Sequence, residues 1–304
     1  MVELIIYGIV LGGIISLGAI GLTLVYGIIR FANFAHGDFM ASGAYIALFV
    51  VTGLLSWAGL PDEPFGPISF GWRMVIAFPF SMVIVGIMAI LIDRLLYRRL
   101  RVKGGGLIIL AMASLGVSFI IRMIILILWS SDYLFYRPGL LRPALQLPLG
   151  AKIRPDQILI LFIVIILIGA LHLFLQNTKM GKAMRATADN MNLARVSGID
   201  TERVIAWTWG ISGALAAAGG ILYGIDVQLH PDMGWHFLIP LFAATILGSI
   251  GNIYGALVGG LVIGIVQQVS TAFLTPTYKP AVAFIIMILI LLIRPQGIFG
   301  ADRK

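Results

Sequence analysis

Apolar runs of membrane-spanning length succeed one another along almost the whole chain, and that succession limits what it can become. They occupy residues 4–29, 39–57, 74–96, 107–129, 158–175 and 204–225, followed by a longer apolar stretch at 237–293. A spanning helix needs about 20 apolar residues. Pro240, Pro276, Pro280 and the turn-prone Gly251-Asn252 divide the last stretch into two or three spans. The expected fold is all-α: a polytopic membrane helical bundle of eight to nine transmembrane helices, one domain over residues 1–304. The composition agrees, with 60% hydrophobic and 11% charged residues, against roughly a quarter charged in a soluble domain. The absence of cysteine excludes thiol catalysis, thiolate metal sites and a disulfide scaffold. The first run does not resemble a secretory signal, because Glu3 stands where a basic patch belongs and the run is too long.

The formal net charge is +8. The basic residues are scattered between spans, with no basic domain to track phosphates, so no nucleic acid is expected as a partner. In a membrane protein, excess Lys and Arg first indicate orientation. Arg94, Arg98, Arg99, Arg101 and Lys103 follow the third run; Lys179, Lys182, Arg185, Arg195 and Arg203 follow the fifth. Two spans separate these loops, so both fall on one side, which the positive-inside rule makes the cytoplasm. The N-terminus is then outside, and Arg294, Arg303 and Lys304 are inside, which requires nine crossings. Segments assigned inside hold 14 basic and 6 acidic residues, and those outside hold 6 and 7.

Neither long polar stretch, 130–157 or 176–203, can build a core of its own. The second has an unusual composition for a linker. Met180, Ala183, Met184, Ala186, Ala188, Met191, Leu193, Ala194 and Val196 suggest two short helices, about 181–189 and 191–197. Asn190 is a natural N-cap for the second, and Gly198 stands where a C′ glycine ends it. Asp200 or Thr201 can cap the span that follows. Small residues on short helices let another protein's surface approach, and Arg185 and Arg195 could meet acidic groups on it. The alternative is an interfacial helix that holds anionic membrane lipid.

Thr178-x-x-Gly181-x-Ala183-x-Arg185-Ala186, then Ala194-x-x-x-Gly198-Ile199, resembles the coupling loop of ABC importer permeases of the branched-chain amino acid type. Gly213-Ala-Leu-Ala-Ala217-Ala-Gly219-Gly220-Ile-Leu222 is similar to the small-residue span that follows it there. Gly21-Leu-Thr-Leu-Val-Tyr26-Gly27-Ile-Ile-Arg30-Phe31-Ala-Asn33-Phe-Ala-His36-Gly37-Asp38 is the specific part of the resemblance, which runs through the whole chain. It implies a type II-like importer permease in a bacterial plasma membrane. Its partners would be a second related permease, two ATPase subunits and an external substrate-binding protein. The loop at about 176–203 would dock on an ATPase through Gly181, Ala183, Arg185, Ala186, Ala194, Arg195 and Gly198. No Gly-x-x-x-x-Gly-Lys-Ser/Thr phosphate loop occurs in the chain, so ATP hydrolysis belongs to separate subunits. No cofactor or metal is expected. The same scaffold suits urea, amides or other amino acids.

Two polar interruptions stand out. Residues 30–38 place Arg30, Asn33, His36 and Asp38 among phenylalanines, and read either as a short hairpin or as a broken helix lining a cavity. Asp38 is a candidate N-cap for the helix that follows. His36 reads as a hydrogen-bonded structural residue, since none of the four histidines forms a close pair. Residues 224–236 contain His230-Pro-Asp232. Tyr26-Gly27-Ile28 matches Tyr223-Gly224-Ile225, and His36-Gly37-Asp38 matches His230-Pro-Asp232 at a different spacing. Similar sequence on spans of opposite direction suggests an inverted repeat, with Asn33, His36, Gly37, Asp38, His230 and Asp232 at the translocation pathway between its halves.

Arg122 lies within a span and is either functional or snorkels to the interface. Gln267 and Gln268 face the pathway or, more in keeping with membrane helices, hydrogen-bond a neighbour. Gly8-x-x-x-Gly12, Gly220-x-x-x-Gly224, Gly251-x-x-x-Gly255-x-x-x-Gly259 and Gly260-x-x-x-Gly264 are expected to permit close helix approach. The loop 130–156, with Arg137, Arg142, Lys152, Arg154 and four prolines, is a candidate surface for the binding protein. A stand-alone secondary transporter would need acidic residues inside spans, whereas Asp and Glu fall at span ends or in loops. An intramembrane enzyme would need paired catalytic groups at depth, and the two His/Asp segments are the only candidates.

Overall fold

The computed structural model describes residues 1–137, 144–146 and 152–300. Eleven helices follow in order: α1 (Val2–Ile29), α2 (His36–Trp57), α3 (Trp72–Val102), α4 (Leu107–Trp129), α5 (Pro155–Asn177), α6 (Lys179–Asp189), α7 (Met191–Val196), α8 (Thr201–Asp226), α9 (Met233–Gly248), α10 (Ile253–Ser270) and α11 (Pro276–Ile293). A two-stranded ribbon, β1 (Leu145–Gln146) and β2 (Lys152–Ile153), precedes α5. Among the described residues, eight helices are long and apolar enough to cross a membrane. The exception among the apolar helices is α9, whose 16 residues span about 24 Å, short of a bilayer core of about 30 Å. The non-helical segment 227–232 separates it from α8.

Local chemistry sets the boundaries. Arg30 takes a left-handed conformation, φ 60°, which ends α1. The side chains of Thr178, Asn190, Asp200 and Asn252 accept backbone N–H bonds at the starts of α6, α7, α8 and α10, where the first-turn donors have no helical partner. Both loop helices therefore form where the sequence indicates, with Asn190 as the cap and Gly198 at φ +84° beyond the end of α7.

The core is built from α1, α2 and α8, while α3, α4, α5 and α11 turn much apolar surface outward toward lipid. Small residues give α8 its central place. Gly213 and Gly210 meet α3 at Val85 and Ile90, Gly220 meets the backbone of Met40, and Ala217 meets Gly43. Gly8 and Gly12 face Gly260, Leu261 and Gly264, so the expected glycine faces of α1 and α10 pack against each other. Gly251 lies outside α10 in a turn at φ +89°, where its N–H donates to Thr23.

The core is an inverted repeat in its contacts. Exchange of α1 with α8, α2 with α9 and α3 with α10 converts α1–α10 into α8–α3, α1–α9 into α8–α2, and α2–α3 into α9–α10, and all six pairings are present. The halves run in opposite directions. Ser212 donates to the carbonyl of Gly21 at 2.8 Å, while Gly219, later in α8, lies against the carbonyl of Ile14, earlier in α1. The displacement that carries Tyr26-Gly27-Ile28 onto Tyr223-Gly224-Ile225 also carries the last residue of α1 onto that of α8, and Gly37 onto Gly234. The tyrosine–glycine match is therefore in structural register. The His36-Gly37-Asp38 match to His230-Pro-Asp232 is not: His36 and Asp38 correspond to Met233 and Trp235. The repeat needs no gap, and the two His-x-Asp triplets are a coincidence of composition.

Candidate functional site: the junction of two interrupted helices

The first interruption is a broken helix and not a surface hairpin. His36 Nε2 donates to the carbonyl of Gly18 at 2.8 Å, a residue well inside α1, about 16 Å from its end at 1.5 Å per residue. Six non-helical residues, 30–35, cover that distance and close in a turn at Phe34-Ala35. Irregular backbone at such depth needs internal partners, and it finds them. The N–H of Phe34 donates to Ser114 Oγ at 3.0 Å, and that of Ala35 donates to Asn33 Oδ1. Phe31 packs against Tyr97 and Trp209, which stack on each other. The second interruption, 227–232, is held by paired backbone bonds between Leu229 and Leu134 at 2.8 and 2.9 Å.

The two broken helices meet at their N-terminal turns. A Cβ on Gly37 would strike the carbonyl of Gly234, and one on Gly234 would strike the backbone of Gly37 and Asp38. Asp38 is not the N-cap; α2 begins at His36, and the Asp38 side chain leaves the helix for α4. It accepts a hydrogen bond from Ser118 Oγ and two from Arg122 Nη2, at 3.4 and 3.5 Å. Arg122 Nε lies 3.7 Å from the Asp232 carboxylate, and its guanidinium stacks over Trp235 at 5.0 Å. The Arg122 side chain is 9% exposed and that of Asp38 1%. Arg122 therefore does not snorkel. It bridges a carboxylate from each interruption, beside the first turn of α2, whose dipole also favours the Asp38 charge.

One face of α4 serves this junction. Ser114, Ser118 and Arg122 stand four residues apart, which aligns them on a helix, and they engage Phe34, Asp38 and Asp232 in turn. The two serines were not singled out from the sequence. A period-four polar stripe, Ser-x-x-x-Ser-x-x-x-Arg in an otherwise apolar helix, was the available signal.

The remaining expected pathway residues separate. Asn33 and His36 are sealed in the core, His230 lines a cavity at the α9 start, and Asp232 is exposed. His36 packs against Phe39, whereas His230 packs against Tyr133 and His236. Among the described residues no group of His, Asp and Glu could hold a metal ion. Asp38 is a carboxylate within a span, contrary to the placement of all acids at span ends. Its charge is paired with Arg122, and Ser118 donates to the same carboxylate.

At the end of the bundle that carries the basic loops, α6 and α7 follow each other across the single residue Asn190. Gly181 does not face outward; a Cβ there would enter the backbone of Leu175 and Phe174, so this glycine lets α6 fold back against α5. Arg185 is pinned to the carbonyl of Leu175 and to Gln176, where it satisfies the end of α5. Ala194 is buried, and Ala183 and Ala186 are half-buried. Arg195 donates to Thr201 at 3.4 Å. The surface offered to solvent is instead Leu193, 61% exposed, and Val196, 82% exposed, with Lys182 and Gly198 beside them. Leu193 and Val196 had been read only as helix formers.

At the opposite end, Arg137 is held by Asp62 at 2.7 Å and by the Ser69 carbonyl, and Arg154 is held by Asp226. Neither is free for a partner. Pro155 starts α5, and Lys152 lies in β2. Arg142, Pro138, Pro143, Pro148, Arg303 and Lys304 lie outside the described residues. Gln267 and Gln268 serve packing, since both hydrogen-bond Lys279 on α11.

An inverted repeat of broken helices joined at mid-bundle, with a two-helix projection at one end, defines a multi-pass membrane transport subunit. Residues 4–291 match the family model described as branched-chain amino acid transport system / permease component, and the chain belongs to that family. It is 34% identical to the high-affinity branched-chain amino acid transport system permease protein BraD of Pseudomonas aeruginosa, over 96% of this chain and 94% of that one. It is 35% identical to the corresponding permease protein LivH of Escherichia coli, over 96% and 93%. A probable LivH of Methanocaldococcus jannaschii is 31% identical over 97% and 91%. These relatives are named as permease proteins rather than enzymes, and a permease component of a transport system implies partner subunits.

Proposed function

We propose that this chain is the permease subunit of an ATP-driven importer for branched-chain or other small apolar amino acids. It forms half of the translocation pathway, paired with a second related permease. Two ATPase subunits bind from the cytosol, and an external binding protein delivers the substrate. The basic loops lie inside, so the N-terminus is outside and the C-terminus cytoplasmic. The observation that carries this reading is the match over nearly the whole chain, together with a rigid projection, α6–α7, on the side with the basic loops. Motion enters through Leu193 and Val196, and α6 passes it to α5 through the Gly181 contact. Asn33, His36, Gly37, Asp38 and Asp232 act at the pathway by holding the first interruption and its junction with the second, and His230 acts there from the wall of the cavity at the start of α9.

The test is reconstitution of the chain with its ATPases and binding protein in liposomes. ATP-dependent uptake of leucine, isoleucine or valine is expected, and uptake of urea or amides in their place overturns the substrate assignment. Uptake by the chain alone overturns the importer assignment. Val196→Asp and Leu193→Asp are expected to weaken ATPase docking by about 2 kcal/mol, the scale of an apolar interface anchor, and to cut uptake while leaving insertion intact. Orientation is checked with Ser197→Cys, which becomes the chain's sole thiol. It should react with an impermeant maleimide only from the cytosolic face.

A further inference from the structure

A cavity of about 610 Å³ opens at the end of the bundle opposite α6–α7, between α1, α5, α8, α9, α10 and α11. Its walls are of two kinds. Leu11, Phe237 and Pro240 form an apolar side, with Tyr223 set edge-on to Phe237 at 4.6 Å. The other side carries charge. Arg154 is ion-paired with Asp226, to which its Nη2 donates at 2.5 Å, with a second bond from the same nitrogen to the Asp226 carbonyl at 2.7 Å. Gln157 donates to the same carboxylate.

Lys279 stands apart from that pair. Its ammonium donates to Gln268 Oε1 at 2.8 Å, and its carbonyl accepts from Gln267. No carboxylate lies within ion-pair distance of it among the described residues. A half-buried ammonium that bonds only a neutral amide keeps donor capacity unused, and it lowers its energy most by meeting an anion. It also sits in the first turn of α11, where the helix field favours negative charge. A small ligand that fits both walls has a carboxylate at one end and a branched apolar group at the other.

We infer that this cavity is a recognition site within the permease for a small apolar amino acid, whose carboxylate is received by Lys279. The inference rests on the importer reading above and deepens it: the permease reads the substrate's carboxylate and does not leave all discrimination to the binding protein. In the proposed orientation the site faces outward, where an amino acid leaving the binding protein arrives first.

The test uses Thr277→Cys at the cavity rim in the complete importer, held in phosphatidylcholine nanodiscs without binding protein. The chain has no other thiol, so the mass shift of this subunit reports its modification. Millimolar leucine is expected to slow modification by an anionic methanethiosulfonate. Leucinamide, which lacks the carboxylate, is expected not to. In Thr277→Cys/Lys279→Gln the protection should fall about tenfold, the loss of one charge-assisted contact of about 1.4 kcal/mol, whereas Lys279→Arg should retain it. Equal protection by leucine and leucinamide, or protection that survives Lys279→Gln, overturns the inference. So does protection produced by phosphatidylglycerol without any amino acid, which would assign the cation to a lipid phosphate. Wild-type amino-acid uptake without protection overturns this inference alone. Absence of amino-acid uptake by the wild type overturns the importer reading and this inference with it.

Discussion

Arg122→Leu is expected to destabilise the folded chain by about 3–5 kcal/mol, the cost of leaving a buried charge without its partner, and to abolish uptake. The substitution strands Asp38, whose side chain is 1% exposed, in a position where its remaining donor is Ser118. It also frees Asp232 and removes the cation stacked on Trp235. Asp38→Asn/Arg122→Gln removes both charges and keeps hydrogen-bonding groups in place, so it should recover most of the stability. Detergent melting curves followed by size-exclusion fluorescence measure the first effect, and proteoliposome uptake measures the second. A single variant as stable as wild type would show that the pair contributes nothing to the junction. Recovery of stability without recovery of uptake in the double variant would assign the charges themselves to transport.

Gly37→Val and Gly234→Val should each prevent recovery of a monodisperse protein. Overpacking in a core costs about 1–3 kcal/mol where side chains can give way. Here the atoms met are backbone carbonyls and Cα atoms of the opposite half, which cannot rotate aside. Because both glycines form one contact, the double variant should be little worse than either alone, a departure from additivity expected of touching residues. Gly116→Val is the control. Its Cβ would meet no atom within 4 Å, and it should behave as wild type in the same size-exclusion profile.

Reading the sequence located nearly every helix, because a twenty-residue apolar run has few alternatives to a spanning helix. It also placed α6 and α7 to within about two residues, through Asn190 and Gly198, whose capping preferences act over three or four residues of local backbone. It misassigned Gly181 and Ala194 as outward-facing, since a small residue on a short helix suits a partner's surface and a neighbouring helix equally well. The direction each one faces depends on where α5 and α8 happen to pass. Leu193 and Val196 count in the sequence only toward the loop helices for the same reason, as an apolar residue declares its exposure only once the surrounding helices are in place.

The repeat shows the same division. Tyr26-Gly27-Ile28 and Tyr223-Gly224-Ile225 were legible as related because both stand in the last turn of their helices, so the match falls at the same local position in each half. The histidine–aspartate resemblance misled, because nothing in a linear string fixes which turn of one helix meets which turn of another.

The amino-acid sequence by itself determined that this chain lies in a bilayer, that it crosses eight or nine times, and where its loop helices begin and end. These follow from apolar length, capping and charge distribution, all of which act over short stretches of chain. Only the tertiary structure decided that residues 30–35 plunge into the bundle, that Gly37 abuts Gly234, that Arg122 joins Asp38 to Asp232, and that Lys279 faces a cavity without a counter-ion. Each of those depends on distance between residues far apart in the chain, and burial makes the pairing of charges and the approach of backbones decisive there.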